Sequence, residues 1–151
     1  MIRLLTLLLL FSYWPVMALA APASNDEAKL AALYLDLHRN PELSFRETRT
    51  AARLADELAA LGFAVTRGFG GTGVVARLDN GPGPTVLVRA DMDALPVAEQ
   101  TGLPYASTAR GMSIDGEEKP VMHACGHDIH MTVLVGTAAV LAREKSTWRG
   151  T

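Results

Sequence analysis

The sequence predicts an α/β domain, and three observations carry that expectation. Two helical apolar stripes lie in series near the start, short strand-like runs follow them, and a third helical stripe lies close to the end. At 151 residues, 49% hydrophobic and 20% charged, the chain can bury one core of modest size. Neither a disordered nor a fibrous composition fits these values.

The domain is expected over residues 21–151, because residues 1–20 read as a secretory signal peptide. Arg3 is a short positive region, Leu4 to Trp14 is an apolar run broken by Pro15, and Ala18-Leu19-Ala20 places small residues where a signal peptidase reads them. The alternative is an uncleaved membrane anchor, since no charge falls between Leu4 and Ala23. Cleavage after Ala20 implies a secreted or periplasmic protein. Of the 14 basic side chains only Arg3 is lost with that segment, and none of the 16 acids, so the remainder carries a formal charge of −3. That balance argues against nucleic acid or an anionic membrane as partner. One cysteine cannot form an internal disulfide, so in an oxidising compartment Cys125 is buried, paired between molecules, or held by a metal.

Ser24 to Glu27 has the form of a capping box, with Leu30, Leu33, Tyr34 and Leu37 at helical spacing until Asn40-Pro41 ends the run. Ser44 to Glu47 repeats the capping signal, Ala51, Leu54, Ala55, Leu58 and Leu61 form the stripe, and Gly62 stands where a helix end favours a left-handed residue. Then the period shortens. Phe63–Thr66, Gly73–Leu78 and Thr85–Ala90 read as strands, the last two joined as a hairpin through Asn80-Gly81-Pro82-Gly83. The expected sheet is mixed and flanked by helices. Residues 97–121 show no period and read as a long loop, which in a compact domain is more often functional than idle. The third helix is expected from about Asp128 to Arg143, with Met131, Leu134, Val135, Ala138 and Leu141 facing inward.

Chemistry concentrates in two places. Arg89 to Pro96 ends a strand in two carboxylates, Asp91 and Asp93, positioned to meet a substrate or cation, or else to make turns with neighbouring backbone. Met122 to His130 gathers His123, Cys125, His127, Asp128 and His130. If this stretch is extended, His123, Cys125 and His127 share one face, and thiolate with imidazole suits zinc and its neighbours rather than calcium or magnesium. Asp128 and His130 would then support a ligand by fixing its tautomer. The competing reading is a buried structural cysteine beside surface histidines.

The blocks "HRNPELSFRE" (His38 to Glu47), "VRADMDALPVAE" (Val88 to Glu99) and "MHACGHDIHMTVLVGTAAVL" (Met122 to Leu141) together resemble the metal-dependent amidohydrolase branch of the aminoacylase and carboxypeptidase superfamily. That branch includes hippurate hydrolases, N-acyl-amino-acid amidohydrolases and auxin-conjugate hydrolases. The resemblance implies the N-terminal portion of a di-metal, aminopeptidase-like catalytic domain. It gives Cys125 and His127 the role of ligands to two divalent ions, manganese or zinc, and makes Asp91 and Asp93 an acidic pair that orients ligands or water. His123 and His130 match recurring positions without a ligand role, and His38, Pro41 and Glu42 match a supporting motif.

The resemblance also implies a small N-acyl amino acid or peptide as substrate and a homodimer of the full-length protein. It implies a general-base glutamate from a Glu-Glu pair beyond the Trp-x-Gly-Thr at Trp148 to Thr151, so the chain as given is expected to be inactive and to bind metal poorly. The alternatives are a metal-binding protein without catalysis and a decayed remnant.

Overall fold

The computed structural model describes residues 25–151, so the expected signal segment 1–20 and the Ser24 capping box lie outside the described residues. Helix α1 spans Asn25–Arg39. It stops where expected, because Pro41 has no N–H to donate and disfavours helical backbone at Asn40. Its inward face presents Leu33 and Leu37, 2% and 0% exposed. These join Leu54 of helix α2 (Thr48–Ala60) and Met131 and Val135 of helix α3 (His127–Arg143) in the main core cluster, with Leu30, Leu61, Ala90 and Met92 packed around it. Each such side chain contributes about 1.5–3 kcal/mol by leaving water, so all three helices are held by one apolar seam.

Helix α2 carries the expected stripe, with Leu54, Ala55 and Leu58 buried, but its N-terminus is not closed by the expected Ser44–Glu47 box. Glu42 reaches in from the preceding loop and accepts from the backbone N–H of Arg49 (3.1 Å) and Thr50 (2.7 Å). A carboxylate there satisfies two orphan donors and meets the positive end of the helix. Ser44 is freed to donate to Asp93 Oδ2 (2.5 Å), and Glu47 accepts from Thr72 Oγ1 (2.6 Å). At the other end Gly62 takes the expected left-handed φ of 87°, and the Gly62 and Phe63 N–H groups bond back to Ala59 and Leu58.

The α/β class holds, and the strands are arranged as two small antiparallel sheets with isolated bridges. Strands β1 (Ala64–Phe69) and β2 (Gly73–Arg77) form a hairpin, Ala64 opposite Arg77 and Thr66 opposite Val75. The expected hairpin was instead between β2 and Thr85–Ala90. The turn sequence at Asn80 serves another partner: Asn80 Nδ2 donates to the carbonyls of Lys145 and Trp148, both 2.7 Å, and its N–H to Gly150 O (2.8 Å). Among the described residues Thr85–Ala90 joins no ladder; Val86 N donates to Thr151 O (2.9 Å), and Thr151 N to the carbonyl of the preceding Pro84 (3.0 Å). Within the expected loop 97–121 the chain forms a second hairpin, β3 (Arg110–Met112) with β4 (Glu118–Pro120), too short to show a period in sequence. Leu43 bridges Ala94 in parallel and Leu95 bridges Met122 antiparallel, over a second apolar cluster of Leu43, Ala94 and Val121.

Candidate metal centre

Two segments meet at the N-terminus of α3. Residues 93–95 are fixed from both sides, since Ala94 N donates to Glu42 O (2.7 Å) while Leu95 and Met122 exchange backbone bonds of 2.9 and 3.0 Å. Against this frame His127, the first residue of α3, places Nδ1 2.7 Å from the backbone carbonyl of Asp93 and 3.2 Å from its Oδ1. A carbonyl only accepts, so the Nδ1–H donates to Asp93 and Nε2 takes no part in that bond. Nε2 lies 4.0 Å from Asp91 Oδ2. This is how a histidine ligand is normally prepared, its outer nitrogen tied down and its inner one available. Asp91 also pairs with Arg89, and Asp93 accepts from Ser44.

Cys125 sits in the turn just before α3, exposed and free. Gly126 follows with φ 77°, a left-handed position where a side chain would be strained, and it swings the chain from turn to helix. The segment is therefore not extended, and His123, Cys125 and His127 do not share one face. His123 is 5% exposed while Cys125 is exposed.

Neither ring nitrogen of His123 has a hydrogen-bond partner, and burial pushes its pKa down, so the ring is held neutral. Asp128 also departs from expectation. As a first-turn residue it faces α1 and bonds His38 Nδ1 (2.7 Å), so the tautomer of His127 is set by Asp93 instead. His130 is exposed, its ring centroid 6.0 Å from that of His127.

Among the described residues no three His, Cys, Asp or Glu side chains converge closely enough to hold a metal ion. The donors that are present nevertheless fit a divalent transition metal: a free thiol, an imidazole tied at Nδ1, and a carboxylate facing its Nε2. Beside them a groove of about 300 Å³ is lined by Ser44, Phe45, Phe69, Arg89, Asp91 and Asp93.

Sequence reasoning underrated the polar network behind this centre. His38 is buried, with Nδ1 on Asp128 and Nε2 3.1 Å from Glu99 Oε1. Burial alone would lower its pKa, but the bonds to the two carboxylates reverse that and raise it. Burial likewise tends to raise Glu99, yet bonds from Thr101, Ser107 and His38 hold it below the usual carboxylate value. Tyr34 and Tyr105 pack on the His38 ring, and burial with a bond to Tyr105 pushes Tyr34 up to about 12. The signal available in sequence was the His-x-x-Pro-Glu cluster at His38 to Glu42, three chemistry-bearing residues in five.

Residues 87–151 match the model of peptidase family M20/M25/M40. Thermostable carboxypeptidase 2 of Saccharolobus solfataricus is 43% identical over 116 residues, 76% of this chain and 27% of that protein. Over residues 87–151 the chain is similar to peptidase family M20/M25/M40. Another relative is N-acetylcysteine deacetylase of Bacillus subtilis, 37% identical over 129 residues, 82% of this chain and 30% of that protein. Among solved structures the fold matches Bacillus subtilis YXEP, described as a dinuclear metal binding peptidase from the M20 family, with a TM-score of 0.68 and 36% identity over 79% of this chain and 31% of that one. The chain spans between 14% and 30% of the length of the curated relatives it matches.

Proposed function

We propose that the protein carrying this chain is a metal-dependent hydrolase that cleaves the amide bond of N-acyl amino acids or short peptides, with Cys125 and His127 among the ligands of a centre of two divalent ions, manganese or zinc. The observation that carries the reading is the presentation of His127, fixed at Nδ1 by the Asp93 carbonyl with its Nε2 opposite Asp91. The family supports a hydrolase, and the names of a carboxypeptidase and an N-acyl deacetylase among the relatives support amide substrates. The ions, when bound, would lower the pKa of a water and polarise the amide carbonyl. The chain's own part is to hold and orient. Asp93 fixes His127, Asp91 faces its Nε2, and the adjoining groove offers apolar walls from Phe45 and Phe69 with Arg89 at its side.

The same reading includes export, with cleavage between Ala20 and Ala21. N-terminal sequencing of exported protein beginning at Ala21 would support it, and an intact Met1 start in the membrane fraction would refute it. The catalytic reading is tested by release of free amino acid from an N-acyl amino acid. Activity lost to a chelator and restored by manganese or zinc is expected. Activity indifferent to chelation would end the metal-dependent reading.

A further inference from the structure

The segment Val121–Asp128, which carries both candidate ligands, is fastened at its two ends by the two nitrogens of one imidazole. At the C-terminal end the link is direct, His38 Nδ1 to Asp128 Oδ2 at 2.7 Å, and the other Asp128 oxygen accepts the N–H of Ile129 (2.9 Å) in the first turn of α3. At the N-terminal end the link runs through three steps. His38 Nε2 lies 3.1 Å from Glu99 Oε1, Ser107 N donates to Glu99 Oε2 (2.5 Å), and Ser107 Oγ donates to Val121 O (2.8 Å). The side chains of His38, Glu99 and Asp128 are 7%, 0% and 3% exposed. Carboxylate oxygens stand within hydrogen-bond reach of both ring nitrogens, so the buried ring is held from two sides. A buried pair of this kind is costly to break from one side, because the carboxylates would be left uncompensated.

We propose that His38 is a positioning residue: it clamps the ligand-bearing segment Val121–Asp128 at both ends and so sets where Cys125 and His127 stand relative to Asp91 and Asp93. The clamp is a property of the metal-free chain. Only its consequence for metal binding rests on the function proposed above.

The test uses the two single-handed mimics of histidine in the protein that carries this chain. His38→Asn keeps a donor near the Nδ1 position and can reach Asp128, whereas His38→Gln keeps one near the Nε2 position and can reach Glu99. Amide hydrogen exchange is followed in the metal-free proteins, and manganese and zinc affinities are measured by chelator competition. The clamp predicts faster exchange confined to residues 121–130 in both variants, with α2 unchanged, and metal binding weakened about tenfold to a hundredfold, the size seen when outer support of a ligand is removed. Exchange at 121–130 equal to wild type in the folded variants would overturn it. So would acceleration spread equally through α2, which marks a general loss of stability. A wild-type protein that binds neither metal would refute the metal function, while the exchange arm would still decide the clamp.

Discussion

Val86, Leu87 and Val88 are 71%, 83% and 55% exposed, whereas the more polar segment Val121–Asp128 buries Val121, His123 and Asp128 and is bonded at both ends. The difference lies in partners rather than in hydrophobicity. An apolar run is a strand only when another strand pairs with its N–H and C=O groups, and among the described residues none pairs with Leu87 to Ala90. The polar segment has a partner for its helix start, its first carbonyl and the ring of His127, each supplied by residues far away in sequence: His38, Ser107 and Asp93.

The sharpest way to break this comparison is to remove chemistry from the fastened segment. Cys125→Ser or His127→Ala in the whole protein should cost more than about a hundredfold in metal affinity and nearly all hydrolysis, since losing a ligand exceeds the effect of losing its support. Metal analysis after gel filtration checks this. Full occupancy in both variants would remove them from the ligand set.

Packing comes next. Leu37→Ala, at a fully buried position between the helices, should destabilise by about 2–5 kcal/mol, while Leu87→Ser should stay within about 0.5 kcal/mol and improve solubility. Chemical denaturation of both variants decides it, and a Leu87 variant as damaging as the Leu37 one would mean that residues 86–88 are covered. Smaller again, Glu42→Gln should cost about 1 kcal/mol, the usual value of a lost helix cap. Ser44→Ala, although it sits in the expected capping box, should not weaken the helix.

The smallest effect is in pH dependence. His38 faces Asp128 from α3, Glu99 from the loop, Tyr34 on its own helix and Tyr105. Its folded pKa is raised above the ordinary 6.5, so its contribution is complete below that value and is lost as the pH rises through the folded one. Glu99 is lowered from 4.5, so its contribution is complete above 4.5 and is lost as the pH falls through its folded value. The stability gap between wild type and His38→Gln should therefore be widest between about pH 4.5 and 6.5 and narrow on the alkaline side. A gap that widens above pH 7 would reverse the assignment of charge.

What could be read from sequence were the features with a local cause. All three helices, the stop at Pro41 and the left-handed Gly62 follow from periodicity and backbone chemistry within a few residues. Asp91 with Asp93 and the cluster around His127 were visible in sequence as two separate groups of ionisable residues, and the fold places His127 against Asp93. What stayed hidden depends on long-range choice. Nothing local says that Asn80 bonds the end of the chain instead of turning a hairpin, that Glu42 caps α2 in place of Ser44, or that Asp128 turns toward His38 rather than His127. The assumption of an extended Met122–His127 failed at the turn through Ala124 and Cys125 and at Gly126, whose left-handed backbone leads from that turn into α3.

The account stands on Cys125 being a ligand rather than a spare thiol, and cobalt substitution tests that most directly. This chain has one cysteine, so a thiolate-to-cobalt charge-transfer band that disappears in Cys125→Ser is assigned to Cys125. The account predicts that the metal-free protein loaded with cobalt shows this band, and that Cys125→Ser loses it. Cobalt bound tightly by the wild-type protein with no such band would contradict it.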